Sequence, residues 1–175
     1  PLPSGYSETW RNDFSVPLGA FNNRVGPRDQ QAGSFLHELG HNLNLKHEAG
    51  VPTNGAPNWI SVMNYPYQFP KESGGFIPKV NWKLAYSSFK FDPLYETSLS
   101  EIPWGITGTS APILTAIVGP DGITPFTVLT NSSVNWNANA NLSETGIKLS
   151  VHTFPTLGLT NTTAITLTSQ NDILS

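Results

Sequence analysis

Residues 37–47 constrain what this chain can fold into more than any other segment, because they read H-E-x-x-H-x-x-N-x-x-H. In an α-helix, residues four apart lie one turn apart on the same face, so a helix here brings His37 and His41 together. Glu38 then lies beside that face, close enough to reach a water on a shared metal ion without binding the ion itself. His47 can join the other two histidines only if the helix ends soon after His41 and the chain turns sharply. Three imidazoles and one carboxylate at these spacings suit a single zinc ion.

Asn44 occupies the position at which this turn is needed. A helix that ends abruptly usually has a residue with positive φ just after it, most often glycine. Asparagine is the best substitute for glycine there, so we expect Asn44 to adopt the left-handed conformation. Gly26-Pro27 or Asp29 can begin the helix. The helix is also indicated by an apolar stripe, formed by Ala32, Leu36, Leu39 and Leu43, and by a polar stripe, formed by Gln30, Ser34, His37 and His41.

A second motif, S-V-M-N-Y at residues 61–65, contains the only methionine of the chain. A lone methionine is most often ordinary core filling, and H-E-x-x-H by itself often arises by chance. The extended histidine motif followed by a methionine-containing turn, however, resembles the metzincin clan of zinc metallopeptidases. Residues 12–19, 29–36, 84–88 and 94–101 are also similar to segments of secreted microbial metzincins. Asn44 is the main departure, because the clan usually has glycine at that position.

This resemblance implies a metal centre in which each residue has a role. It implies that one catalytic Zn²⁺ is bound by His37, His41 and His47. It also implies that Glu38 is the general base and that Met63 forms an apolar floor beneath the metal. The implied activity is that of a zinc-dependent endopeptidase, in which a zinc-bound water deprotonated by Glu38 hydrolyses peptide bonds of a protein or peptide substrate.

The residues just after the methionine receive further roles from the resemblance. Tyr65 matches a tyrosine that can be an extra, displaceable zinc ligand and can stabilise the oxyanion of the transition state. The alternative is a buried aromatic residue whose hydroxyl is bonded elsewhere, and the sequence leaves both open. Tyr67, Gln68 and Phe69 match one wall of the pocket for the residue after the cleaved bond, so we expect them to influence substrate specificity.

The resemblance further implies an α+β fold with a zinc helix, a methionine-containing turn and a sheet on the N-terminal side. Metzincins have a sizeable subdomain before the zinc helix, whereas only 36 residues precede His37 in this chain. We expect an edge strand within residues 4–10 and the next strand within residues 13–19, so the sheet looks truncated. The rest of the sheet is then expected from a missing N-terminal segment or from another chain, since exposed strand edges invite association.

The chain divides into two regions by composition. Residues 1–105 are expected to form the catalytic core, with a short helix near residues 93–101. Residues 106–175 are rich in threonine and contain short apolar runs between turn signals, which predicts a β-rich C-terminal region or appendage. The runs span residues 113–118, 126–129, 147–151 and 164–168.

Composition excludes several classes of function. Cysteine is absent, which excludes disulfides, zinc–thiolate sites and thiol catalysis. A net charge of −3 gives no basic surface for nucleic acid, and no apolar run reaches the length of a membrane span. Few charges and many Asn, Ser and Thr residues fit a secreted, extracellular protein. Glycosylation triplets beginning at Asn131, Asn141 and Asn161 agree with secretion, but such triplets arise easily by chance in this composition.

Asparagines alternate along one loop, with Glu144 beyond them; they are Asn135, Asn137, Asn139 and Asn141. Oxygen ligands at alternating positions are typical of calcium loops, so Ca²⁺ is a possible second metal. Asparagine is neutral, however, and a calcium loop needs several carboxylates. A polar, turn-rich loop is therefore the favoured interpretation.

Two other functions stay open on the sequence alone. A non-catalytic, zinc-holding metzincin-like binding module would use the β-rich second half for recognition, although a purely structural site has no need of Glu38. A metal-dependent hydrolase of non-peptide amides would have the same histidine spacing, and only the family resemblance favours peptides.

Overall fold

The computed structural model describes residues 4–21, 24–47, 54–152, 154, 157, 163–169 and 172–173. Over these ranges the chain mixes helix and strand, which is compatible with the expected α+β class. The helices are α1 (Arg28–Asn42) and α2 (Tyr65–Gln68), and 3₁₀ turns lie at Leu18–Ala20 and Lys71–Ser73. The strands are β1 (Tyr6–Ser7), β2 (Phe14–Ser15), β3 (Leu94–Tyr95), β4 (Leu99–Ser100), β5 (Leu114–Val118), β6 (Pro125–Leu129), β7 (Thr145–Ile147) and β8 (Thr166–Leu167). In these ranges no helix is both long and apolar enough to cross a membrane.

The strands pair antiparallel and in twos, as β1–β2, β3–β8, β4–β7 and β5–β6. β1 and β2 lie where the edge strand and the next strand were expected, and they pair Tyr6 with Ser15. β5, β6 and β8 coincide with predicted apolar runs, whereas β7 overlaps its run only at Ile147. Within the described part of residues 106–175, the elements longer than one residue are therefore all strands.

The prediction of a short helix near residues 93–101 is wrong, because β3 and β4 occupy this segment. Between these strands the buried carboxylate of Glu96 accepts hydrogen bonds from the backbone N–H groups of Val151 (2.6 Å) and Ile165 (3.0 Å). A buried carboxylate needs such donors, and they come from segments far along the chain. The strand pairs β3–β8 and β4–β7 form with those same parts of the chain. Long-range pairing has thus overridden the local helical tendency.

α1 begins at Arg28, directly after Pro27, as one of the two predicted starts requires. Its apolar stripe is only partly buried, because Ala32, Leu36 and Leu39 are half-buried and Leu43, just after the helix, is 60% exposed. The buried residues of the helix are instead small, polar or charged; they are Gly33, Ser34, His37, Glu38 and Gly40.

Two glycines explain why α1 buries this face. A Cβ on Gly33 would lie 2.2 Å from the Gln68 carbonyl oxygen, and a Cβ on Gly40 would lie 2.3 Å from the Met63 Sδ. Neither position has room for a side chain, so the helix axis can approach residues 63–69 closely. This approach places the histidine face of α1 against the methionine-containing segment.

The main hydrophobic core contains residues from both sides of residue 105. Trp59, Met63 and Phe91 come from the first region, and Trp136 and Leu167 come from the second. All are 2% exposed or less. Residues 106–175 therefore pack in the same core that lies beneath α1 and the Met63 segment.

Candidate metal centre

Three histidine side chains converge at the C-terminal end of α1. The Nε2 atom of His47 lies 2.8 Å from the Nε2 atom of His37 and 2.8 Å from that of His41. The potential ligand atoms of the three residues all lie within 4.8 Å of one another. The group could hold a metal ion, with His37 buried and the other two rings partly exposed.

The end of α1 explains how His47 reaches the other histidines. Asn44 follows the helix with a φ of +69°, so the prediction of a left-handed conformation is confirmed. Its N–H donates to the carbonyl of His41 (2.9 Å), and the N–H of Leu45 donates to the carbonyl of Gly40 (2.8 Å). This pair of bonds is the Schellman motif, which ends a helix and turns the chain away from its axis. The turn delivers His47 to the face that carries His41.

Backbone carbonyls determine which nitrogen of two rings carries the proton. His37 Nδ1 lies 2.9 Å from the Val62 carbonyl oxygen, and His41 Nδ1 lies 2.8 Å from the Leu45 carbonyl oxygen. A carbonyl oxygen only accepts, so both Nδ1 atoms donate, and in a neutral ring the Nε2 atom is then an unprotonated acceptor. Both Nε2 atoms lie against the Nε2 atom of His47, which has at most one proton to give.

Burial keeps the three rings neutral at physiological pH. Desolvation lowers the pKa of His37 to about 3 and that of His47 to about 4, and it also lowers the pKa of His41. One neutral His47 nitrogen cannot donate to two acceptors, so at least one of the two close nitrogen pairs brings two lone pairs together. A cation between the nitrogens satisfies all three at once. The donor set therefore fits a bound metal ion.

Glu38 lies beside the histidine cluster. It is only 4% exposed, and desolvation raises its pKa to about 7. The backbone of Gly5 approaches it so closely that a Cβ on Gly5 would lie 2.4 Å from Glu38 Oε1. A carboxyl group with a pKa near neutrality can both take up and release a proton at physiological pH.

Tyr65 packs on the histidine rings. Its ring centroid lies 5.5 Å from that of His37, with the planes 29° apart, and 4.8 Å from that of His47. Desolvation, and after it the negative charge of Glu38, raises the pKa of Tyr65, so its hydroxyl stays protonated at neutral pH. The half-buried side chain lines a cleft, where the hydroxyl is available as a donor.

The segment around Met63 forms a buried turn beneath α1. Met63 is fully buried, with its sulfur close to Gly40. The neighbouring Asn64, to which the family resemblance gives no role, is also fully buried, and its amide donates to the carbonyls of Ala56 (2.8 Å) and Trp59 (2.7 Å). These hydrogen bonds connect the preceding loop to the turn, and they satisfy the buried amide of Asn64.

A cleft of about 610 Å³ opens beside the cluster, and all three histidines line it together with Glu38. β1 lines it through Tyr6 and its neighbour, and Gln68 and Phe69 also contribute. Tyr67 does not, because its ring is buried and its hydroxyl lies 2.5 Å from Thr115 Oγ1 in the core. Of the three residues expected at the substrate pocket, the structure therefore places two at the cleft.

Two hydrogen bonds behind the histidine cluster could not be predicted from the sequence. The Tyr86 hydroxyl donates to the Leu36 carbonyl in α1 at 2.8 Å, and the Asp172 carboxylate accepts from Ser61 Oγ at 2.5 Å. Both contacts join segments that are distant in sequence, so no spacing or local pattern indicates them.

The asparagine-rich loop uses its side chains internally. Asn137 Oδ1 accepts the N–H of Asn139 (3.2 Å), and Asn139 Oδ1 accepts the N–H of Asn141 (2.7 Å). The side-chain amides of Asn137 and Asn139 donate to the Glu144 carboxylate. These contacts are those of a polar, turn-rich loop. In the part of the chain that the structure describes, the three histidines are the one group of three or more His, Cys, Asp or Glu side chains that lie close enough together to hold a metal ion.

Comparison with protein-family models, with curated proteins and with solved structures found no match to this chain. Its function therefore has to be inferred from the residues of the site.

Proposed function

We propose that this protein is a zinc-dependent endopeptidase of the metzincin type. The observation that supports this most strongly is the convergence of three neutral imidazoles beside a buried carboxylate, at a cleft of about 610 Å³. A structural zinc site has four protein ligands, whereas a catalytic site has three and keeps one position open. Here the three histidines would hold the ion at the cleft that they line, and Glu38 lines the same cleft without belonging to the ligand group.

Zinc is the metal that this donor set favours. Three histidine nitrogens with an open fourth position are typical of catalytic zinc, whereas calcium and magnesium take oxygen ligands. Tetrahedral zinc with Zn–N bonds of about 2.0–2.1 Å separates its ligand nitrogens by about 3.3 Å. The two separations from His47 Nε2 are 2.8 Å, about 0.5 Å shorter than this, and all the ligand atoms lie within 4.8 Å of one another. When bound, zinc supplies a Lewis acid that polarises a carbonyl and makes a water more acidic.

Glu38 has the position and the pKa of a general base. In the proposed reaction it takes a proton from the water that attacks the carbonyl carbon, and it later gives a proton to the amine as the C–N bond breaks. Burial raises its pKa to about 7, so both transfers are accessible near neutral pH. A serine or cysteine nucleophile is not required, since the water oxygen forms the new bond directly.

Residues around the cleft would hold the substrate. Tyr65 stays protonated at neutral pH, so its hydroxyl can donate to the oxyanion that develops in the transition state. β1 lies along the cleft and pairs with β2 on one side, so an extended peptide can lie beside its other edge. Gln68 and Phe69 are the proposed wall for the residue after the cleaved bond.

The test combines metal analysis with a proteolysis assay on the full chain. We expect one zinc per chain, cleavage of a denatured protein substrate, loss of cleavage with a chelator and recovery with added zinc. Glu38→Gln should keep its zinc while cleavage becomes about 10²–10⁴-fold slower. Glu101→Gln is the matched control, because Glu101 is also a buried carboxylate but bonds the backbone of Trp136 and Glu144 instead of lining the cleft.

The possible outcomes separate the competing functions. Zinc binding without cleavage by the wild-type chain favours a non-catalytic, zinc-holding module. Cleavage of simple amides but not of peptides favours a different hydrolase. Unchanged cleavage in Glu38→Gln removes Glu38 from the mechanism.

A further inference from the structure

Asp172 binds the back of the turn that carries Met63. Its buried carboxylate accepts hydrogen bonds from Ser61 Oγ at 2.5 Å, from the Ser87 backbone N–H at 2.8 Å and from Trp59 Nε1 at 3.2 Å. A carboxylate only accepts, and hydrogen bonds to it are stronger than those between neutral groups. Donors from two separate segments therefore fix this side chain in one position.

A first series of hydrogen bonds, called a route below, connects the Asp172 carboxylate to the His37 ring through Ser61 and one peptide unit. The Ser61 hydroxyl gives its proton to Asp172, so its oxygen is left to accept the Met63 N–H at 3.1 Å. That N–H belongs to the same planar peptide unit as the Val62 carbonyl, which accepts the Nδ1–H of His37 at 2.9 Å. Because the unit is planar and trans, fixing the direction of its N–H also fixes the direction of its C=O. The orientation of the His37 ring therefore depends on Ser61 and, through it, on Asp172.

A second route reaches α1 from the same carboxylate. The backbone of Ser87 both donates to Asp172 and accepts its N–H, each at 2.8 Å. The adjacent Tyr86 donates its hydroxyl to the Leu36 carbonyl, one residue before the first histidine of α1, at 2.8 Å. Hydrogen bonds therefore connect Asp172 both to the turn that carries Met63 and, through residues 86 and 87, to α1.

We propose that Asp172 is a positioning residue of the metal centre, which orients the His37 ring through Ser61 and the Val62–Met63 peptide. Asp172 does not line the cleft, so it acts on the metal site through the residues that lie between them. The inference rests on the proposed function only in requiring that the three histidines bind zinc. Groups that hold a metal-binding histidine from behind typically change metal affinity about 10- to 100-fold when they are removed.

The experiment measures the zinc affinity of the full chain by competition with a chromophoric chelator, at a temperature where circular dichroism shows each variant to be folded. Asp172→Ala and Ser61→Ala should each weaken zinc binding about 10- to 100-fold. The double variant should lose no more than the larger single loss, because both changes break one route. Asp172→Asn should lose less, since its amide oxygen can still accept from Ser61 while its NH₂ group meets the Trp59 N–H.

Glu101→Gln again serves as the control, because it alters a buried carboxylate away from the cleft. It should lower thermal stability and leave zinc affinity unchanged. A cobalt(II)-loaded sample gives a second readout, since a tilted His37 ring should alter the visible spectrum of the Asp172 and Ser61 variants but not that of Glu101→Gln.

Wild-type affinity in folded Ser61→Ala overturns the proposal, and this variant decides the question if Asp172→Ala does not fold. An equal loss in Glu101→Gln also overturns it, because the loss would then follow from destabilisation alone. Additive losses in the double variant would mean that Asp172 does not act through Ser61. A wild-type chain that binds no zinc overturns the proposed function together with this inference, whereas zinc-binding wild type with unaffected variants overturns the inference alone.

Discussion

Gly33 lets α1 approach the segment after Met63, and its replacement by alanine tests how far the metal centre depends on that approach. The new Cβ would lie 2.2 Å from the Gln68 carbonyl oxygen and 2.9 Å from the Phe69 Cδ1. Contacts between carbon and oxygen are normally about 3.3 Å or longer, so the helix and the segment must separate by about 1 Å. The obstacle is backbone, which cannot rotate aside as the tip of a side chain can.

The expected loss follows from two opposing terms. Overpacking costs about 1–3 kcal/mol, whereas alanine gains about 1 kcal/mol over glycine inside a helix. Because the obstacle at Gly33 is a carbonyl, we take the upper end of the first range and expect Gly33→Ala to lower the free energy of unfolding by about 2 kcal/mol. Gly40→Ala meets the flexible side chain of Met63, so it should cost about 1 kcal/mol or less.

Urea denaturation of the chelated protein measures both losses. Gly19→Ala is the control, because nothing lies within 4 Å of a Cβ at that position. Zinc affinity should fall in the same order, since separating α1 from the turn also lengthens the bond between His37 and Val62. A Gly33→Ala variant as stable as wild type, or one more stable than Gly40→Ala, would refute this reasoning.

Three further predictions follow from the site. Asn44→Gly should keep or improve zinc affinity, because glycine adopts the φ of +69° without strain, whereas Asn44→Val should weaken it; chelator competition measures both. The chelated protein should lose stability as pH falls below about 6.5, because imidazoles of the unfolded chain bind protons there. In the folded chain the pKa values of His37 and His47 are only about 3 and 4, so urea titrations that show rising stability on acidification would contradict the assignment. Phe69→Ala should change the preferred residue after the cleaved bond in a peptide library, whereas Tyr67→Phe should leave that preference unchanged and cost about 1–2 kcal/mol of stability through its lost core hydrogen bond.

The histidine cluster and its turn could be predicted because their determinants are local. Residues four apart on a helix meet whatever surrounds them. The left-handed conformation of Asn44 is likewise a property of its own side chain and of the helix end, which the Schellman bonds then complete. Short strands could also be predicted from apolar runs between turn signals, as β5 and β6 show.

Long-range contacts decide the features that could not be predicted. The segment of β3 and β4 looked helical, but buried Glu96 gathers backbone donors from residues 151 and 165. Tyr67 lies between the cleft residues Tyr65 and Gln68 in sequence, yet its ring is buried and its hydroxyl bonds Thr115 in the core. Asp172 carries no motif, and only the folded chain brings it to Ser61.

The buried face of α1 shows why hydrophobic periodicity alone was insufficient. Leu43 completes an apolar stripe but is 60% exposed, whereas Gly33 and Gly40 are buried. Helix packing here is governed by how closely two backbones can approach, and glycine permits the closest approach. The functional side chains then lie on the packed side of the helix instead of the solvent side.

The most direct test of the central claim is the zinc content of the purified chain, measured by elemental analysis after equilibration with a slight excess of metal and removal of the unbound fraction. The wild-type chain should retain one zinc, His47→Ala should lose it, and His152→Asn should retain it, because the ring of His152 is buried against Glu96 outside the cluster. A wild-type chain without zinc, or a His47→Ala variant that holds zinc as tightly as wild type, would contradict the account.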